Sequence, residues 1–155
     1  MSDIREQLAE PMLLQIYDYW DSLRHGQRMP ARRDLDPKEI PHHLPNLMLV
    51  DVLHQPRRLR YRLIGTRIVA ASAEDRTGDF FDEVDFIKGN PDVLDHYNTV
   101  IDTAAPGLTL EPFTNHSNNM TYQAKLLLLP LSNDGRIVDM LLAYFYFTTG
   151  PYANR

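Results

Sequence analysis

The sequence predicts an α+β domain, and three observations carry that reading. Met12, Leu13, Ile16, Tyr19, Trp20 and Leu23 recur at three- and four-residue steps, which draws an apolar stripe along a leading helix. Five later segments, at 47–54, 59–65, 108–116, 121–131 and 137–148, have strand composition and are bounded by turn residues. Between the second and third of them the spacing turns helical. One domain suffices, because 155 residues fit a single core and no repeat or low-complexity linker divides them.

The helix over 12–23 meets a stop signal at Gly26. Pro30, Pro37, Pro41 and Pro45 then break any long element, while Asp36 before Pro37 predicts one short helix with an aspartate cap. The strands at 47–54 and 59–65 are joined by a turn through Gln55, Pro56, Arg57 and Arg58. On the second strand Leu59, Tyr61 and Leu63 are expected to face inward, with Arg60 and Arg62 outward. Short helical pieces at 66–73 and 79–84 flank a turn at Thr77 and Gly78, and Gly89, Asn90 and Pro91 form a breaker. A firmer helix over 92–104 buries Val93, Leu94, Tyr97, Val100 and Ile101. Asn118 with Asn119, and Asn133, Asp134 and Gly135, mark the turns between the last three strands. The chain therefore divides into a helix and proline-rich connection at 1–46, a core at 47–148 and a short tail at 149–155.

Residues 126–129 are four consecutive leucines, and residues 140–147 (MLLAYFYF) are apolar at both alternating positions. A sheet wet on one side would alternate, so both faces must be covered. The helices between strands cover one face; the leading helix, or a second copy of the chain, covers the other.

Composition removes several chemistries. There is no cysteine, which excludes disulfides, thiolate metal sites, cysteine nucleophiles and cysteinyl flavin adducts. A formal charge of −5 argues against a general nucleic-acid binder. The N-terminus lacks the pattern of a signal peptide and no apolar run approaches the length of a membrane span, so a cytoplasmic protein is expected. Charge is unevenly placed: five arginines and no acid lie between Arg57 and Arg67, and eight acids lie between Glu74 and Asp95. Asp51, inside an apolar strand, needs a partner such as a nearby arginine or a tyrosine hydroxyl, the alternative being that it lies on a wet strand end. Arg28, Arg32 and Arg33 with Asp34 and Asp36 read as local ion pairs fixing a loop.

Particular residues carry a family resemblance. Tyr19, Trp20, Leu23 and Arg24, the segment RMPARRDLDP containing Met29, Pro30, Arg32, Asp34, Asp36 and Pro37, and then Ile40, Pro41, Leu44 and Pro45 leading to Asp51, are joined by RYRLIGT (60–66), TGDFFDE (77–83) and LLLPLSNDG (127–135). With this element order the chain resembles a bacterial PAS-like family over about residues 12–147. The resemblance implies a five-stranded antiparallel sheet whose concave face, roofed by helices between strands 2 and 3, can hold a small ligand. It also implies sensing, signalling or dimerisation, usually without catalysis.

Within that fold the expected pocket lining is Tyr61, Leu63, Phe80, Phe81, Tyr97 and Ile101, together with Tyr122, Leu126, Leu142 and Tyr144. The plainer reading is that these side chains fill the core and leave no cavity. The helix residues Ile16, Tyr19, Trp20 and Leu23 are the candidate interface of a homodimer. His96 is the one candidate haem ligand, against its reading as a polar residue flanking Tyr97. No other histidine pair has metal-ligand spacing, and His42 and His43 point apart. Ser72, Ser117 and Ser132 lack a nucleophile elbow, and no glycine-rich phosphate loop exists.

The functional expectation is a sensory or regulatory module that binds a small ligand, dimerises, or both, and has no catalytic output of its own. Because the last strand ends close to the end of the chain, the signal is expected to pass to a separate protein. The alternatives are a protein-docking adaptor with a filled core and a small α+β enzyme.

Overall fold

A computed structural model describes residues 3–155; Met1 and Ser2 of the N-terminal segment lie outside the described residues. Five antiparallel strands form one sheet: β1 (Leu47–Leu53), β2 (Arg58–Ile64), β3 (Gly107–Thr114), β4 (Thr121–Leu131) and β5 (Met140–Phe147). Their spatial order is β2-β1-β5-β4-β3, so the two hairpins are brought side by side through β5. Helix α1 (Pro11–Leu23) precedes the sheet, while α2 (Thr66–Ser72), α3 (Asp85–Lys88) and α4 (Pro91–Thr103) lie between β2 and β3. The four-residue α3 was not anticipated, because it contains a single buried residue, Ile87.

The leucine run resolves as its pattern demands. Leu126 and Leu128 join Leu141, Phe145 and the helical roof in one core, whereas Leu127, Leu129 and Leu131 join Leu142, Tyr144 and α1 in the other. The helix packs on its own sheet: Ile16 and Trp20 are 0% and 1% exposed, and the Trp20 indole N–H donates to Pro130 O at 2.9 Å. An ion pair from Lys125 to Glu10 fixes the N-terminal end of the helix to β4. Thus two of the four candidate interface residues are spent inside the chain, and Tyr19 and Leu23 are half-buried beside them.

The proline-rich connection is held by backbone caps. The Asp36 carboxylate accepts the Lys38 N–H (3.0 Å) at the start of a 3-10 turn, Pro37–Glu39, and the Asp34 carboxylate accepts the Ala31 N–H (2.9 Å). The Tyr19 hydroxyl accepts the Asp36 N–H (3.0 Å) and donates to Glu39 (2.9 Å). The expected Arg–Asp pairs are not formed here among the described residues: Arg28 donates to Thr103 O (2.7 Å) and Arg32 to Leu35 O (3.3 Å). Both aspartates are committed to backbone N–H groups, which leaves the arginines to carbonyls.

The arginines of β2 and its preceding turn meet acids from elsewhere. Arg57 pairs with Asp102 (2.7 Å), Arg58 with Asp82 (2.7 Å) and Arg60 with Asp51 (3.0 Å). Asp51 therefore has the arginine partner its strand position requires. The outer side of β2 is met by the chain itself, since Tyr61 N–H donates to Asp79 O (3.0 Å) and Gly78 N–H donates to Tyr61 O (2.7 Å). Gly78 makes that return at φ +92°, a conformation that favours glycine.

Gly65 ends the segment YRLIG under a different constraint. A Cβ there would lie 2.5 Å from Leu44 O and 2.7 Å from Leu47 O, with Pro45 O in closer contact still. None of these backbone oxygens can move aside without shifting β1. Gly65→Ala is expected to destabilise the domain by about 3 kcal/mol, measured as a lower urea midpoint at unchanged m-value. Ile16→Asp places a carboxylate at a fully buried site facing leucines, and cooperative thermal unfolding should be lost.

Candidate functional site

Between the inner sheet face and the roof lies a cavity of about 90 Å³. Met48, Leu126 and Phe145 floor it from the sheet, and Ile68 of α2, Ile87 of α3 and Val93 and Tyr97 of α4 close it above. Tyr61 and Ile64 on β2 and Glu111 and Phe113 on β3 form its sides. Glu74, Arg76 and His116, each about one-third exposed, stand on its solvent side, where Arg76 pairs with Glu74.

Aromatic packing shapes the wall. Tyr61 stacks on Phe81 with centroids 4.3 Å apart, Phe81 meets Tyr97 edge-on at 5.0 Å, and Phe113 meets Phe145 edge-on at 5.6 Å. These geometries suit the ring quadrupoles and stiffen the lining.

Glu111 is the polar feature that the sequence reading missed. It is 6% exposed, and its Oε1 accepts the Thr109 hydroxyl, whose oxygen lies 2.6 Å from His96 Nδ1. His96 Nδ1 is 3.4 Å from the same carboxylate oxygen. Burial raises the Tyr61 and Tyr97 hydroxyl pKa values well above the usual tyrosine range, and for Tyr97 the nearby Tyr61 and Glu111 add to the effect. A lone acid in a strand is ordinary in a sequence, and only the pairing of β3 with the roof shows that this one points inward.

The ten expected lining residues separate. Tyr61, Tyr97 and Leu126 line the cavity. Phe81 and Ile101 belong to the same core behind it. Phe80 rests on the Arg58 guanidinium at 3.6 Å, and Tyr122 sits at the far end of β4 against Gly150.

Leu63, Leu142 and Tyr144 project from the opposite face, which corrects their assignment to this pocket. For Leu63 the cause is a bulge. Leu49 pairs with Leu63 but Val50 with Tyr61, so Arg62 is an extra residue, and Ile64 takes the inward place expected of Leu63. For Leu142 and Tyr144 the cause is phase: β5 is apolar on both faces, and Leu141, Ala143, Phe145 and Phe147 are the inward set.

On the outer face a second concavity of about 420 Å³ lies between the proline-rich connection and the sheet. Leu35, Ile40 and Leu44 form one wall and Leu49, Leu63 and Leu142 the other, with Leu63 48% exposed.

A roofed, antiparallel five-stranded sheet with an inner cavity and an N-terminal helix on its back defines a PAS-type module. The sequence match agrees: the family model described as PAS domain covers residues 8–144, and the chain belongs to that family. No curated protein matches the chain in sequence. Among solved structures, the LOV protein of Rhodobacter sphaeroides is similar at a TM-score of 0.54 and 12% identity, over 76% of this chain and 70% of that one. A structure described as an RNA-binding light-oxygen-voltage receptor is similar at 0.53 and 12%, over 77% of this chain and 36% of that one. A third, from a study of a flavin analogue in a light-oxygen-voltage domain, gives 0.53 and 11%, over 75% and 86%. At these identities the likeness is one of fold.

The cavity measures about 90 Å³, and the chain has no cysteine to form a flavin adduct. His96 does not offer itself to a haem: Nδ1 is engaged by Thr109, and Nε2 is packed where a Gly107 Cβ would come within 2.9 Å. Among the described residues no group of three histidine or carboxylate side chains is arranged to hold a metal ion, and no helix is long and apolar enough to cross a membrane.

The buried tyrosines set the alkaline limit of the fold. Burial pushes Tyr144 up to about 12, and Tyr61 and Tyr97 move in the same direction. Each stays neutral in the fold while the unfolded chain ionises near its ordinary value of 10.0. Their contribution is thus complete below that value and is lost as pH rises toward the folded pKa. Between the two values stability should fall by about 1.4 kcal/mol per pH unit for each such tyrosine. Urea midpoints followed across the alkaline range, with tyrosinate absorbance as the second probe, test this.

Proposed function

We propose that the chain is a cytoplasmic, bacterial sensory or regulatory module that binds a small ligand in the inner cavity and passes the signal, as a homodimer, to a separate protein. The observation that supports it most is the cavity: an apolar core that carries a buried carboxylate and two tyrosine hydroxyls around unfilled space. A core meant only to pack would fill that space with methyl groups. The relation to sensor folds supports the same reading, since membership of the PAS family and likeness to light-oxygen-voltage domains both concern sensory modules.

Binding is favoured over catalysis by the direction of the polar groups. The His96 nitrogen left free by Thr109 faces Gly107 and not the cavity, so the His96–Thr109–Glu111 chain gives no open proton route to a guest. A second reading, docking of a partner protein on the outer face, is supported by the groove around Leu44 and Leu63, which are 37% and 48% exposed. A dimer would use this face rather than the stripe of α1 already packed against β4 and β5.

Native mass spectrometry of freshly purified protein, combined with a ligand-observed NMR screen of fragments of about four to eight heavy atoms, tests the proposal. Added mass, or fragments whose binding shifts the Tyr97 and Leu126 resonances, supports a ligand sensor. Bare mass and a silent screen would overturn it and leave the outer groove as the working surface.

A further inference from the structure

Glu111 has no lysine or arginine counter-charge among the described residues, none of whose lysine or arginine nitrogens lies within 4.0 Å of its carboxylate. Arg76, the cation lining the same cavity, is engaged by Glu74 and Asp79, and His116 faces Glu74 at 3.9 Å. The His96 ring, whose Nδ1 lies 3.4 Å from the same carboxylate oxygen, is a cation only when protonated. A proton on Nδ1 donated to Thr109, whose hydroxyl donates to Glu111, accounts for both contacts, and a second proton on Nε2 would be buried without an acceptor. A 6%-exposed carboxylate with one hydrogen-bond donor and no lysine or arginine partner is costly to bury.

Glu111, Tyr61 and Tyr97 all line the cavity, and among the described residues Glu111 Oε2 and the two tyrosine hydroxyl oxygens receive no hydrogen bond, the one donor to Glu111 being the Thr109 hydroxyl on Oε1. These three acceptors match in number the three N–H donors of a primary ammonium group. The rings of Tyr61, Phe86 and Phe113 line the same space, and aromatic faces attract a desolvated cation. The remaining lining, from Ile68 to Leu126, suits a short hydrocarbon body. Scaled from a cavity of roughly 150 Å³ that holds benzene, the volume here admits a guest of about four heavy atoms.

We infer that the inner cavity takes a small primary alkylammonium ion, with its nitrogen on Glu111 and its hydrocarbon chain against the aromatic wall. The inference rests on the inner cavity being the ligand site and adds the charge and size of the guest. Neutral or anionic molecules of the same size are disfavoured by the carboxylate they would leave unpaired.

The test compares n-propylammonium, 1-propanol and propionate, each titrated into the intact chain, by thermal unfolding and by amide NMR. Propylammonium should raise Tm by about 8 °C at a hundred times its Kd and move resonances of Glu111 and Tyr97, while the other two should leave both unchanged. Glu111→Gln keeps the shape and should weaken propylammonium binding by about tenfold or more without lowering the Tm of the free protein. Equal binding of 1-propanol, or propylammonium shifts confined to surface acids, would overturn the ammonium assignment while leaving a ligand sensor intact. Absence of propylammonium binding would overturn the assignment too, and the fragment screen then decides the wider reading separately. Should Glu111→Gln fail to fold, the selectivity of the unsubstituted chain between ammonium and alcohol carries the decision.

Discussion

The central strands of this domain have no wet face. Every residue from 141 to 147 on β5 is buried, and β4 is buried from residue 126 to its end, so apolar side chains leave the same backbone in both directions. Such a sheet is stable in water only between two layers. One layer is the run of short helices that follows β2, and the other is α1, whose Trp20 reaches a strand carbonyl. The arrangement of the chain follows from this demand: a helix is placed ahead of the sheet to cover its back, and a proline-rich connection carries the chain around the edge. The caps at Asp34 and Asp36 hold that connection together with three short 3-10 turns.

The two layers differ in how completely they fill. On the α1 side, Leu13, Ile16 and Trp20 meet leucines in dense contact, and their exposure is essentially zero. On the other side the roof is built from helices of seven, four and thirteen residues joined by turns. These short pieces leave a cavity between themselves and the inner sheet face. A polar strand residue, Glu111, opens onto that space. The domain thus packs tightly beneath α1 and keeps a cavity beneath the roof, while the outer groove lies beside α1 at the proline-rich connection.

Much of the fold could be read from the chain, and the reasons are local. Strand and helix positions followed from spacing and turn residues, and the covered second face followed from the leucine run. What failed was phase. Tyr144 and Phe145 are both large, aromatic and buried, so nothing in their types says which looks toward the cavity. Leu63 was misplaced because an extra residue on β2 reverses the alternation, and a bulge of this kind leaves no mark in an arginine-rich segment. Glu111 was missed because its importance depends on α4 closing over it, a contact between elements whose docking the sequence does not display. Sites assembled from several elements are the least legible part of a chain, since each contributor is unremarkable alone.

The return of residues 78–80 along β2 has a consequence for the protein in a crowded solution. An open strand at the margin of a sheet offers unpaired N–H and C=O groups to any other extended chain, and that is how native proteins begin to assemble into fibres. Here Gly78 and Asp79 occupy the groups of Tyr61, while Arg58, Arg60 and Arg62 add charge along the same margin. At the opposite margin Pro112 has no N–H to offer a neighbour. A module whose middle strands are among the most aggregation-prone sequences a chain can carry is thereby kept from polymerising through its rims.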